Sequence, residues 1–222
     1  MTIRIVLFDL DGTLLDTNEL IIESFQYTSQ KYFKREMPRE RIIKSFGEIL
    51  QKTMEQEFGA HAEEALKTYR DYQREKFYEY ITIHSGVRES LQKLQEKGYR
   101  MGVVTSRLKR SALDGLKHFD IYRYFECVIS ADDTDRHKPD PKPVFMALEK
   151  MGGKPEEAVL IGDSPFDILC GKNAGILSVA AGWSALPREL YMQHEPDYVV
   201  ESMEEFVALL ERLNGQGGEK CF

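Results

Sequence analysis

The run Ile3-Arg4-Ile5-Val6-Leu7-Phe8-Asp9-Leu10-Asp11-Gly12-Thr13 decides the fold. Its first six residues are mostly β-branched or aromatic and read as a buried strand that stops at Asp9. Asp11-Gly12-Thr13 then breaks the pattern as a turn. Outward from this point the chain changes character twice. Residues 16–80 are charged and almost free of strand signals. Thr17 or Asn18 can cap a helix through Phe33, with Leu20, Ile21, Phe25 and Tyr32 near helical spacing. Met37-Pro38 interrupts, and further helices are predicted over 39–45, 49–58 and 60–80.

After His84-Ser85-Gly86 helix and strand alternate. Helices are predicted over 87–97, 108–119, 141–151, 166–174 and, last, through Leu213; strands over 101–105, 127–130, 159–161, 177–180 and 198–200. Gly98, Gly152-Gly153 and Gly175 end helices. This rhythm gives an α/β chain with a Rossmann-like parallel sheet covered on both faces by helices, interrupted by an α-helical insertion. The expected boundaries are 1–15 and 84–222 for the sheet-bearing body and 16–83 for the insertion. The Gly-rich tail over 214–222 reads as frayed.

Composition agrees with an ordinary globular protein. The 222 residues, at about 150 per domain, suit one large domain or a domain with an insertion. Hydrophobic residues make up 42% and charged residues 30%, which excludes collagen-like and wholly disordered chains. Net charge is 30 − 37 = −7, so general binding to nucleic acid or anionic membranes is disfavoured and an anionic ligand must be drawn by local positive groups. No apolar run approaches the roughly 18–20 residues of a membrane span. Three cysteines, Cys127, Cys170 and Cys221, with no C-x-x-C pair, point to reduced thiols in a cytoplasmic protein.

In such sheets ligands bind beyond the carboxyl ends of the strands. Four loops deliver chemistry to that rim: Asp9, Asp11, Gly12 and Thr13 after the first strand, Thr105 and Ser106 after the second, Asp132, Asp133 and Lys138 after the third, and Asp163, Ser164 and Asp167 after the fourth. Two carboxylates about 4 Å apart repel by roughly 4 kcal/mol at an effective dielectric near 20. Asp9, Asp11 and Asp163 crowded together therefore ask for a cation, and hard oxygen donors suit Mg²⁺. Thr105 and Ser106 stand just before a helix and can hold an anion; Lys138 offers a compact charge for phosphate oxygens; Gly12 permits close backbone approach. Asp9 is the candidate nucleophile, and Asp11, two residues on, the candidate acid and base.

Phe8-Asp9-Leu10-Asp11-Gly12-Thr13-Leu14, Val104-Thr105-Ser106, Lys138-Pro139-Asp140-Pro141 and Ile161-Gly162-Asp163-Ser164-Pro165-Phe166-Asp167-Ile168 resemble, in order, the four motifs of the haloacid dehalogenase-like hydrolase superfamily. The resemblance covers essentially the whole chain. It implies Asp9 as nucleophile, Asp11 as acid/base, and a Mg²⁺ held by Asp163, Asp9 and the Asp11 backbone carbonyl. It also implies Asp167 as a residue that orients the site from behind, and the helical insertion as a mobile cap. The carboxylate at Asp11 disfavours dehalogenation. Thr17-Asn18-Glu19-Leu20-Ile21-Ile22, Lys138-Pro139-Asp140-Pro141 and 167–175 look most like the bacterial pyrophosphatase branch associated with serine-phosphorylated HPr. Phosphoglycolate phosphatases share much of this pattern, and the Trp183-Ser184 region departs from it.

The expected activity is hydrolysis of a small phosphorylated molecule, inorganic pyrophosphate leading, by a monomer or weak homodimer. Phosphoglycolate or another small sugar phosphate is the alternative substrate; a phosphomutase and a phosphate-sensing protein without chemistry are the remaining readings. Asp132 and Asp133 read as a solvated loop and His137 as a loop-ordering residue. Arg107-Leu108-Lys109-Arg110 reads as a solvated helix face, with steering of an anionic substrate as the alternative. Tyr69, Tyr72, Phe77, Tyr78 and Tyr80 read as helix packing.

Overall fold

A computed structural model of the chain describes residues 2–215. In chain order the elements are β1 (Ile5–Phe8), β2 (Leu15–Asp16), α1 (Asn18–Phe33), α2 (Arg39–Ile43), α3 (Leu50–Phe58), α4 (Ala62–Tyr80) and β3 (Thr82–Ile83). They continue with α5 (Val87–Glu96), β4 (Arg100–Val104), α6 (Lys109–His118), β5 (Cys127–Ile129), α7 (Lys142–Met151) and β6 (Ala158–Gly162). The last are α8 (Pro165–Asn173), β7 (Leu177–Ala181), α9 (Arg188–Met192), β8 (Tyr198–Val200) and α10 (Met203–Gly215).

Six strands form one sheet in the order β5-β4-β1-β6-β7-β8, with every neighbouring pair parallel. The chain leaves β1 to one side through β4 and β5, then returns to its other side through β6. That reversal opens a crevice at the carboxyl end of β1, where ligands bind in doubly wound sheets. Side chains alternate across the sheet because a strand has a two-residue period. Val6 and Phe8 pack with Leu91, Leu116, Phe206 and Leu210 on one face; Ile5 and Leu7 pack with Val144, Leu148 and Cys170 on the other. Phe8 meets Phe125 and Phe206 edge-on at 6.0 and 5.9 Å. Each such fully buried side chain contributes about 1.5–3 kcal/mol, which fixes the strand that carries the first aspartates.

The helices between β2 and β3 have their own apolar cluster, built on Ile22, Phe25, Ile42, Met54, Phe58 and Tyr69. β2 and β3 pair antiparallel, Leu15 opposite Ile83 and Asp16 opposite Thr82, and tie the two ends of this insert together. These two-residue strands were not predicted, since so short a segment carries no alternation to read. Helix α9 was also missed; it is a five-residue helix after Pro187. Thr17 occupies the N-cap position of α1 but makes no side-chain capping bond. The Asp16 carboxylate accepts the Asn18 N–H instead, at 3.1 Å. At the other end, Asn214 is not frayed. It belongs to α10 and clamps Ile3 through bonds of 2.7 and 2.9 Å. The rest of the predicted tail, 216–222 with Cys221, lies outside the described residues. No helix among the described residues is long and apolar enough to cross a membrane.

Candidate active site

Asp9 is the first residue past β1, and its N–H still donates to Ile161 O of β6 at 2.9 Å. The sheet ladder thus fixes its backbone, and the residue is only 4% exposed. Lys138, 5% exposed in the segment between β5 and α7, donates to Asp9 Oδ1 and Asp167 Oδ1 at 2.6 Å each and to Val104 O at 3.2 Å. Its three ammonium donors are therefore all used. Asp167 stands in the first turn of α8, where its Oδ2 accepts from the N–H and hydroxyl of Ser164, the N-cap residue, at 3.1 and 2.5 Å. Both of its oxygens thus accept hydrogen bonds, Oδ1 from Lys138 and Oδ2 from Ser164. Asp163 follows β6, and its Oδ2 accepts the Ser184 hydroxyl at 2.8 Å. Gly12, at φ +80°, makes room for it: a Cβ there would lie 2.1 Å from Asp163 Oδ2.

Carboxylate oxygens of Asp9, Asp163 and Asp167 lie within 4.8 Å of one another. Three carboxylates against one ammonium leave a formal charge of −3 + 1 = −2 in a buried pocket. Burial, with repulsion from Asp167 and Asp11, outweighs Lys138 and pushes the Asp9 carboxyl up to about 7. Burial and the charges of Asp9 and Asp167 raise Asp163 well above the usual carboxylate range. Burial alone would lower Lys138, but Asp167 and Asp9 outweigh it and hold the ammonium charged. An all-oxygen donor set with two excess negative charges fits one divalent hard cation such as Mg²⁺.

The Asp11 side chain lies outside this cluster. Its carboxylate accepts a two-point contact from Arg107, Nε to Oδ2 and Nη2 to Oδ1, both at 2.8 Å. The Arg107 side chain is 8% exposed; its Nη1 donates to Ser111 Oγ at 2.8 Å, and its guanidinium lies 5.5 Å from the Phe77 ring of α4. From sequence Arg107 reads as part of a solvated helix face, with steering of an anionic substrate as the alternative; the structure instead buries it on Asp11. The available signal was its position two residues after Thr105, at a strand end. Thr105 is buried at the rim, where its hydroxyl accepts the Arg107 N–H at 3.1 Å. The Ser106 hydroxyl turns upward and donates to Gly47 O in the α2–α3 loop at 3.0 Å. Gly47, at φ +83°, is pressed against the rim, since a Cβ there would lie 2.5 Å from Ser164 Oγ. Asp133 accepts from Ser130 within its own loop and from Lys109 at the start of α6.

Between the rim and the insert lies a cavity of about 710 Å³. Asp9, Asp11, Thr105, Ser106, Arg107 and His137 line its lower part; Phe46, Gly47, Tyr69, Gln73 and Phe77 line its roof. Tyr69 and Phe77 thus serve both the packing expected of them and the cavity wall. Arg70, Arg74 and Arg110 also face this space, together with Glu48, Asp114 and Asp132.

A family model described as haloacid dehalogenase-like hydrolase matches residues 6–181. The chain is 44% identical over 210 residues to a protein of Caldanaerobacter subterraneus subsp. tengcongensis provisionally named pyrophosphatase PpaX, covering 95% of this chain and 96% of the relative. It is 37% identical to pyrophosphatase PpaX of Bacillus mycoides, over 97% of this chain and 100% of the relative. A solved structure from Lactobacillus plantarum, provisionally described as a phosphoglycolate phosphatase, matches with a TM-score of 0.85 at 25% identity, over 94% of this chain and 100% of that one.

Proposed function

Because the chain belongs to the haloacid dehalogenase-like hydrolases and shares whole-chain similarity with their phosphatases, we propose that it hydrolyses inorganic pyrophosphate with Mg²⁺, through an aspartyl-phosphate on Asp9. The observation that carries the chemistry is the division of labour on Asp9. Lys138 occupies Oδ1, while Oδ2 accepts no hydrogen bond among the described residues and remains available to attack. Asp9 Oδ2 bonds to phosphorus as the bridging P–O bond breaks, and Asp11, which must first leave its Arg107 contact and take up a proton, gives that proton to the departing phosphate. In the second step Asp11 takes a proton from water, which attacks phosphorus and releases Asp9. Lys138 neutralises phosphoryl oxygens, and the Thr105 hydroxyl, the Ser106 backbone and the close approach at Gly12 receive the same group. The cation held by Asp9, Asp163 and the Asp11 carbonyl would offset charge on the transferring phosphoryl group. Asp167 keeps Lys138 aimed at Asp9.

In this reading 1–15 and 84–222 form the catalytic body and 16–83 a cap hinged at the β2–β3 ribbon. Closure of the cap would exclude water and limit the size of the leaving group. The test compares kcat/KM for pyrophosphate, phosphoglycolate, other small sugar phosphates and p-nitrophenyl phosphate, with and without Mg²⁺. Pyrophosphate should rank first, with turnover only when Mg²⁺ is present. Phosphoglycolate is the second reading, favoured by the Lactobacillus plantarum structure and by a cavity with room for an organic substrate.

A further inference from the structure

The segment after β7 belongs to the body by sequence, yet it reaches into the insert. Its two ends are fixed on the body. Gly182 N–H donates to Val200 O at 2.8 Å, and Tyr191 of α9 is buried against Ile168 and Ala180. Between these anchors, Leu186 is buried in the apolar cluster of the insert beside Phe25, Ile42 and Phe46, and Leu190 packs against the same cluster. The segment also touches the ribbon region: the Trp183 indole N–H donates to Thr13 O at 3.2 Å. Ser184 sits between these contacts. Its hydroxyl accepts the Leu186 N–H at 3.0 Å and donates to Asp163 Oδ2 at 2.8 Å. Accepting from Leu186 directs the hydroxyl proton toward Asp163, so one rotor joins a residue seated in the insert to a buried carboxylate of the rim.

We propose that residues 183–192 form a crosspiece through which the seating of the helical insert sets the orientation of Asp163, with Ser184 as the positioning residue. The inference rests on the reading of Asp163 as a cation ligand. When the insert is seated, Leu186 is held, its N–H fixes the Ser184 hydroxyl, and Asp163 is turned so that one oxygen faces Asp9. When the insert lifts, Leu186 leaves its pocket and the hydroxyl loses the bond that aims it. Beside the covalent crossings at the β2–β3 ribbon and contacts such as Ser106–Gly47, this link is one that ends on a residue read as a cation ligand. Residues that orient a ligand in this way typically change metal affinity about 10- to 100-fold when removed.

The experiment titrates the full-length, substrate-free protein with Mg²⁺ by calorimetry. Emission of Trp183, the chain's one tryptophan, is followed in parallel and reads the crosspiece directly. S184A should weaken Mg²⁺ binding about tenfold or more. S184T, which keeps the hydroxyl, should stay within a few-fold of the parent. L186A leaves Ser184 intact but empties the insert pocket and should also weaken Mg²⁺ binding several-fold. If circular dichroism shows L186A unfolded, L186V supplies the same comparison with a smaller loss of packing. In the parent Mg²⁺ should shift Trp183 emission, and in the Leu186 variant the shift should shrink. Parent-like Mg²⁺ affinity in S184A overturns the proposal. So does equal weakening in S184T and S184A, or parent-like affinity in the Leu186 variant beside a weakened S184A. If the parent itself binds no Mg²⁺, the cation-site reading fails and the inference falls with it, a result distinct from parent binding that S184A leaves untouched.

Discussion

At the rim, Asp9, Asp163, Asp167 and Lys138 are all buried, and each is held by partners from other loops. In the insert, charge pairs such as Arg39–Glu19 and Arg74–Asp71 lie at the surface, and the helices are held by an apolar cluster instead. The contrast shows two ways of using charge. Buried charges in a low-dielectric site interact strongly and are costly to leave unpaired. Surface pairs are screened by solvent and contribute little. The rim should therefore respond sharply to single changes and the insert mildly.

The largest effect is expected at Asp9. Asp9→Asn keeps the shape and the strand-end backbone but removes the proposed nucleophile. Turnover should fall below about one-hundredth of the parent with the circular dichroism spectrum unchanged. Residual activity above that level would show that covalent catalysis does not run through this residue.

Cation removal should come next. Excess EDTA should abolish pyrophosphate hydrolysis and added Mg²⁺ restore it, whereas Asp163→Ala should be inactive at Mg²⁺ concentrations that saturate the parent. Full activity in EDTA would break the link between the two excess negative charges and the chemistry.

Which parts were legible in the sequence follows the same contrast. The meeting of Asp9, Asp11, Lys138 and Asp163 at one rim is legible because each follows a strand of strong apolar pattern or stands in the loop beyond one. The helices of the insert were legible within a few residues because Pro38 and the charged, strand-poor composition mark them. Arg107 was hidden because a basic run beside a helix start looks like any solvated face, and only the fold shows that it meets Asp11 across the site. Ser184 and Leu186 were hidden for a related reason. Their partners, Asp163 and the insert's cluster, are reached through long-range packing that no local pattern encodes. The Ser106 hydroxyl was assigned to the anion site, but in the structure it bonds to Gly47, a contact set by how the insert sits.

Lys138→Met tests the buried network in energy rather than rate. It leaves Asp9 facing Asp167 and Asp163 without the ammonium. In metal-free protein at pH 8, denaturant unfolding should show a loss of about 3–5 kcal/mol. The sign of the pH dependence follows from Asp9, whose carboxyl is pushed up to about 7 by burial. Well below that value Asp9 is neutral and no longer needs the ammonium, so the loss should be smaller at pH 5 than at pH 8. A loss that is constant between the two would place the cost in packing rather than charge.

Arg39→Ala carries the comparison to its weak end. Arg39, the first residue of α2, pairs with Glu19 in the first turn of α1, and the two side chains are 54% and 52% exposed. The link joins two helices of the insert and is drawn with both guanidinium nitrogens on the carboxylate, so by geometry it rivals the rim pairs. Exposure decides otherwise. Water solvates both partners in the unpaired state, salt screens them, and two long side chains lose rotamer freedom when they meet. Ile22 of α1 and Ile42 of α2 are buried in the insert's apolar cluster and join the two helices independently of charge. Arg39→Ala should therefore cost less than about 1 kcal/mol in denaturant unfolding, and raising the salt concentration should shrink even that difference. The kcat for pyrophosphate should stay within about twofold of the parent, because neither residue lines the cavity. A loss comparable to Lys138→Met would mean that the α1–α2 junction, rather than the apolar cluster, holds the insert together.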